Sequence, residues 1–582
     1  MLSKTEKYIK MIHRLLFVTI IPLISACWSL GSANGNDTFE YCDIHLPENL
    51  KGEAEHLHLN NVETDWGLWG HNLSAAITEK VSKRIYASTG GVRNDEQFCF
   101  TSEELYRSIE QYVINNYGED GGVRFAILPN DNKIVCQCAA CVRMGNTAKD
   151  ATPAVCYMIE RLCDRFPDHY FFTSYYSTTR SIPAKALPRN GGVLVSAIDF
   201  YLGFTYSERE KNFIETLRKW GEKSGHVYVW DYINNFDDYL TPCPLFTIMQ
   251  NRLGLYADTG VKGLFLNGSS YDYSTFSDIK TNLYAALRHN PQENWMNLLN
   301  DYCAEHYPVT GKLIANFIIK QEIRMFTRQQ IIPIYGGIGD ILNTYLPEEA
   351  FITFHNELID LLPQTTEDEY EKVRKLCNAL AYTRLEIMRH HGDISQARPM
   401  LKRLAKCLTD DIKIYSESCW TLQSYINDYN YILEHAEKTG SKNLLRGQEI
   451  KALTTLDEDY KDLSPLTDGL LALPSNYHCG HVISSEGKGL TLSVPCPPGM
   501  RTLRVCLTRN ALFRLDFPSA VTLTVNGREV SRAVPHPVPD AAGHSFVEFT
   551  MPASLPATCQ VRLLRESESV RGFGIEEIEG FK

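Results

Sequence analysis

Six short apolar runs, with helix-like sequence between them, set the frame within which this chain folds. "FEYCDIHL", "RFAILP", "HYFFTSYY", "VLVSAI", "HVYVW" and "KGLFLN" follow one another through the first half of the 582 residues. Their shortness and continuous apolar character predict strands buried on both faces, as in a parallel sheet. The intervening segments carry helix signals. Thr101 and Glu104 form a capping box, Phe100 and Leu105 a hydrophobic staple, and Gly118 a stop. Thr152-Pro153 opens a second helix, and Ser207 with Glu210 caps a third. Repeated β–α units predict an α/β chain whose residues 37–290 form a (β/α)8, TIM-like barrel. A doubly wound open sheet is the alternative, although no glycine-rich phosphate turn is present.

The remainder reads differently. Residues 291–440 keep three-to-four-residue apolar spacing with little Pro or Gly, which predicts a helical region. Residues 441–475 read as a linker. From 476 to 582 the period falls to two, and Asn526-Gly527 between apolar runs marks a hairpin. This segment is expected to be a β-sandwich, with carbohydrate binding and plain packing as open alternatives.

The first 26 residues read as a lipoprotein signal peptide. Lys4, Lys7, Lys10 and Arg14 precede the apolar run "LLFVTIIPLISA", which is too short for a permanent span. Ile24-Ser25-Ala26-Cys27 resembles a bacterial lipobox, which implies cleavage before Cys27 and a lipid on its sulfur. Residues 27–36 would be a tether. The expected location is the bacterial outer membrane, on its periplasmic or outer face. The net charge is −12 and no basic patch stands out, which argues against a nucleic-acid partner.

In a barrel the chemistry lies at the C-terminal strand ends. The predicted strands end on Asn130-Asp131, Asp199, Asp231 and Asn267, with Asp272 shortly after. One such acid is usually a cap or turn residue; several on one rim would be a site. Trp69, His71, Tyr175, Trp230 and Tyr232 lie close to these acids in sequence. Aromatic faces stack on sugar rings, and acids and amides bind hydroxyls. Asp131, Asp199 and Asp231 are therefore the candidate catalytic residues, with Asp131 as general acid/base. Trp69, His71, Asn130, Tyr175, Trp230, Tyr232, Asn267 and Asp272 are the candidate substrate contacts. No cofactor is expected. Serine-hydrolase, P-loop and HExxH motifs are absent. Cys136, Cys138 and Cys141 supply only three metal ligands. A fourth, such as Cys156 or Cys99, would have to come from elsewhere. A zinc site, a disulfide and free thiols bracing the Asp131 loop all remain open, and none makes the cluster a reaction centre.

The stretches "DWGLWGHNL", "RNDEQFCF", "LPNDNKIVCQCAAC", "VLVSAID", "YVWDYINNFDDYLTPCP" and "GVKGLFLNG" together resemble the bacterial domain-of-unknown-function 4838 group. That group overlaps glycoside hydrolase family 163, endo-β-N-acetylglucosaminidases of complex N-glycans. The resemblance covers about residues 37–300. It implies a barrel, a carbohydrate substrate and a Gram-negative lipoprotein. It also implies an acid where this chain has Asn267, a glutamate at Asp199, and a further α/β domain ahead of the barrel. The expected function is a lipid-anchored glycoside hydrolase acting on N-acetylglucosamine-containing host glycans by acid/base chemistry, assisted by the substrate acetamide. The alternatives are a non-catalytic glycan-binding lipoprotein on the same barrel and a structural lipoprotein that binds nothing.

Overall fold

The computed structural model describes residues 38–582 apart from 78–81, 200–207, 244, 329–333, 419, 457–459, 475, 477, 479, 485–488, 512–514, 539–541 and 566–571. The export segment, Cys27 and the Ser207 cap lie outside the described residues. No helix among the described residues is long and apolar enough to cross a membrane.

The first half contains strands β1 (Tyr41–His45), β2 (Trp66–Leu68), the hairpin β3 (Tyr86–Thr89) and β4 (Val92–Phe98), β5 (Arg124–Ala126), β6 (Tyr170–Tyr175), β7 (Gly191–Ser196), β8 (His226–Tyr232) and β9 (Gly263–Asn267). All six apolar runs are strands. Seven strands form one parallel sheet in the order β1-β9-β8-β7-β6-β5-β2. This is the cyclic order of a barrel, with two corrections to the expectation. Among the described residues there are seven parallel strands rather than eight, and no ladder joins β1 to β2.

Side chains span that seam instead. Asn60 Oδ1 accepts from the Cys42 N–H at 2.8 Å, and the Asn60 N–H donates to the Cys42 carbonyl at 2.8 Å. Asp43 accepts from Asn49 Nδ2 at 3.0 Å and from the Val62 N–H at 2.7 Å. Burial pushes the Asp43 carboxyl up to about 8. A polar residue satisfies its neighbours here where a strand would otherwise leave backbone groups orphaned.

The sheet curls far enough for its two edges to touch inside. Tyr41 of β1 meets Trp66 of β2 with ring centroids 6.0 Å apart. Phe172 and Tyr228 complete an aromatic layer, their rings 4.8 Å apart. Two glycines make room for it. A Cβ at Gly192 would stand 2.3 Å from the Phe172 ring, and one at Gly263 2.5 Å from Tyr228. Above that layer Trp69, Trp230 and Phe265 pack together. The interior is thus a filled core with a working end only at the rim.

Outside the sheet lie helices α1 (Glu103–Tyr117), α2 (Ala139–Met144), α3 (Thr152–Arg165), α4 (Glu208–Gly221) and α5 (Phe246–Asp258). The cap of α1 is Ser102, whose hydroxyl accepts from the Leu105 N–H, not Thr101. Glu104 instead binds Ser82. Gly118 ends α1 as expected. Helices then dominate from Trp295 to Thr439.

The C-terminal strands form five- and four-stranded antiparallel sheets. The Asn526-Gly527 hairpin is present, with φ of 51° and 75°. The segment 441–475 is not a free linker. Leu445, Ile450 and Leu466 enter the sandwich core. On the last strand, buried Glu576 and Glu577 accept from the Ala472 and Gly469 N–H groups, and Glu579 pairs with His435 at 2.9 Å. Glu579 thus joins the sandwich to the last helix, and Glu576 and Glu577 join it to the 441–475 segment.

Candidate active site

The loop after β5 carries Asp131 at an exposed apex, and both shoulders are clamped. Gln97, only 2% exposed, accepts from the Asn130 N–H and donates to the Asn130 carbonyl and to Asn132 Oδ1, each at 3.0 Å. The side-chain amides of Asn130 and Asn132 both donate to the Glu96 carbonyl at 2.8 Å. Asn130 therefore spends its amide on the β4 hairpin rather than facing a ligand. His71 joins from the other side, its Nδ1–H donating to the Pro129 carbonyl at 2.6 Å. That bond fixes the ring, which lies 5.8 Å from Tyr176 and 6.5 Å from Trp230.

Tyr176, just past the end of β6, sits between two acids. Its hydroxyl is pushed up to about 12, first by burial, then by Asp131, to which it hydrogen-bonds, and by Asp199. Asp199 is exposed and pairs with Arg180 at 2.5 Å. Tyr232, at the end of β8, is half-buried near Tyr176 and Glu417, and its hydroxyl is pushed well up, first by burial.

Glu417 comes from the helical region. Its N–H donates to the Phe236 carbonyl at 2.8 Å, which ties its loop to the barrel. The Tyr335 hydroxyl donates to Glu417 Oε2 at 2.5 Å. The residue is exposed, yet partial burial of the carboxyl raises its pKa from the ordinary glutamate value. Tyr335 opposes that shift, and Asp237 and Asp131 reinforce it. Asp237 is itself bound to His478 at 2.7 Å. The rim thus brings a carboxyl of raised pKa together with Asp131, Tyr176, Tyr232 and His71.

Several expected residues stand elsewhere. Asp231, 2% exposed, points to the outer face of β8, where Arg252 pairs with it and the Tyr256 hydroxyl donates to it at 2.5 Å. It is a structural anion between β8 and α5. Tyr175 packs against the outer core, and its successor Tyr176 holds the rim position. Trp69 and Trp230 stack on each other at 5.0 Å, 19° from parallel, as a joint cap on the interior rather than as two separate walls. Asn267 ends β9 on the face that Phe265 presents to the interior. Asp272 lies beside Lys51 and Asp411, and burial raises its carboxyl. Glu417, Tyr335 and His478 carried no local signal in the sequence. Tyr176 and Asp237 lay within "SYYSTTR" and "FDDY", where only spatial neighbours single them out.

Behind the Asp131 loop, Cys136, Cys138 and Cys141 meet Cys99, all four sulfurs lying within 4.8 Å of one another. Cys156 is not part of this group.

The comparisons bear on the same stretch. Residues 79–318 match DUF4838, a domain of unknown function. The match bears out the resemblance seen in the motifs. It takes in Asp131, Tyr176, Asp199 and Asp237; Glu417, Tyr335 and His478 lie beyond it. No curated protein matches the chain. Among solved structures, a family GH115 4-O-methyl-alpha-glucuronidase with specificity for decorated arabinogalactans aligns at 11% identity and a TM-score of 0.37, over 83% of this chain and 67% of its own. A GH138 enzyme targeting pectin rhamnogalacturonan II aligns at 8% identity and a TM-score of 0.26, over 82% and 76%. The lectin domain of lectinolysin, complexed with Lewis B antigen, aligns at 17% identity and a TM-score of 0.19, over 24% and 97%.

Proposed function

We propose that the rim is the active site of a glycoside hydrolase acting on N-acetylglucosamine-containing host glycans. The observation that carries this reading is Glu417, a carboxyl raised by burial and by two acid neighbours, opposite Asp131 with Tyr176 beside it. Glycoside cleavage needs one carboxylic acid that keeps its proton for the leaving oxygen. Glu417, although exposed at the surface like Asp131, suits that role because its pKa is raised. Asp131 and Tyr176 then hold and polarise the acetamide of the substrate, so that its carbonyl oxygen attacks the anomeric carbon. Tyr232 and His71 bind hydroxyls, and Trp69 and Trp230 floor the subsite. The endo-β-N-acetylglucosaminidase specificity rests on the resemblance to family 163. Export and a lipid on Cys27 rest on the first 27 residues.

The test is mass spectrometry of glycans released from complex N-glycoproteins and mucin O-glycans by the purified protein, beside Asp131→Asn. Release by wild type alone supports the reading. Equal release by both removes Asp131 from the site. A second reading, a glycan-binding protein without turnover, is favoured by Asn267, where the resemblance implies an acid. Binding of the same glycans with no released product would select it.

A further inference from the structure

We infer that Cys99, Cys136, Cys138 and Cys141 form a structural zinc site. This does not depend on the hydrolase reading. Cys99 follows β4, Cys136 and Cys138 lie in the loop after Asp131, and Cys141 sits in the first turn of α2. The chain thus brings one sulfur from a hairpin end and three from a single turn. Cys99 Sγ lies 3.7 Å from both Cys138 Sγ and Cys141 Sγ. Sulfurs bound tetrahedrally at ~2.3 Å from zinc are ~3.8 Å apart, so the spacing is that of a tetrahedron edge. Cys99, Cys136 and Cys141 are buried, and Cys138 is half-buried.

The surroundings suit thiolates. The Ser88 N–H points at Cys136 Sγ, 3.3 Å away. The Thr101 hydroxyl lies 3.1 Å from Cys141 Sγ and 3.4 Å from Cys99 Sγ, within reach to donate its one hydrogen to either. Such outer donors hold metal-bound sulfurs in place. Four protein ligands leave no open position, so the ion would be structural, not catalytic. Its place gives it a purpose. Gln97, which clamps the Asp131 loop, lies two residues before Cys99, and Cys136 lies five residues after Asp131. A zinc ion here would lock hairpin and loop into one unit.

The experiment is elemental analysis of the full chain purified without chelator, beside Cys99→Ser, Cys141→Ser and, as control, Cys156→Ser. We expect one zinc per chain in wild type and Cys156→Ser, loss of that zinc in the other two, and a lower melting temperature after chelation. Cobalt exchanged into the wild type, which needs no variant to fold, should give the visible bands of a tetrahedral thiolate site. Zinc-free wild type overturns the assignment, whether thiol titration then finds four free cysteines or a disulfide among them. So does cobalt that binds without those bands.

Discussion

At the N-terminal ends of the curled sheet's strands, Glu40 accepts from His226 Nδ1 at 2.8 Å and from the Tyr228 hydroxyl at 3.0 Å, and Arg124 Nε reaches that hydroxyl at 3.2 Å. At the C-terminal end, Glu417 accepts from Tyr335 and faces Asp237 and Asp131. The residue types are alike: a carboxyl, tyrosines and a histidine. The charge balance is not. Burial would raise the Glu40 carboxyl, but His226, Tyr228 and Arg124 hold it below its usual value. Glu417 is raised, first by burial, and the acids Asp237 and Asp131 add to the shift instead of opposing it. A balanced cluster stabilises the charged carboxylate; an unbalanced one favours the protonated form, as the proposed general acid requires.

The largest expected effect comes from breaking the unbalanced end. Glu417→Gln should lower kcat by ~10²–10⁴-fold, the usual contribution of a general acid, with little change in unfolding free energy. Steady-state kinetics beside denaturant titration would check both halves. A second test lies midway, at the seam. Folded Asp43 keeps its proton up to about 8, whereas the unfolded chain releases it near the ordinary aspartate value. Between those pH values the folded state binds more protons, so stability should fall as pH rises, by up to ~1.4 kcal/mol per pH unit. Urea unfolding at several pH values should show this slope, and Asp43→Asn should reduce it. At the balanced end, Glu40→Gln should cost ~0.5–1 kcal/mol of stability, because the exposed carboxyl is screened by solvent, and leave turnover unchanged. The smallest effect sharpens the contrast. Asp237→Asn removes one acid that raises Glu417, so the alkaline limb of the kcat/KM profile should move to lower pH.

The strands were legible because parallel strands buried on both faces leave unbroken apolar runs. β2 was not, since three residues with a central glycine make no run. The open seam was invisible for a related reason: it is held by Asn60 and Asp43, single polar residues that leave no pattern along the sequence. Asp231 shows the limit of reading strand ends. It lies one residue inside β8, and the two-residue period turns it away from Trp230 and Tyr232, towards Arg252. Glu417 had no readable signal, because the helical region brings it to the rim from far along the chain. Cys99 was one of two candidates for a fourth ligand, and only the fold separates it from Cys156.

The most direct measurement sets Glu417→Gln against Glu40→Gln, with glycan release and melting temperature recorded on the same samples. The account predicts that Glu417→Gln melts like wild type and releases no glycan, while Glu40→Gln melts lower and still turns over. Undiminished release by folded Glu417→Gln would contradict it.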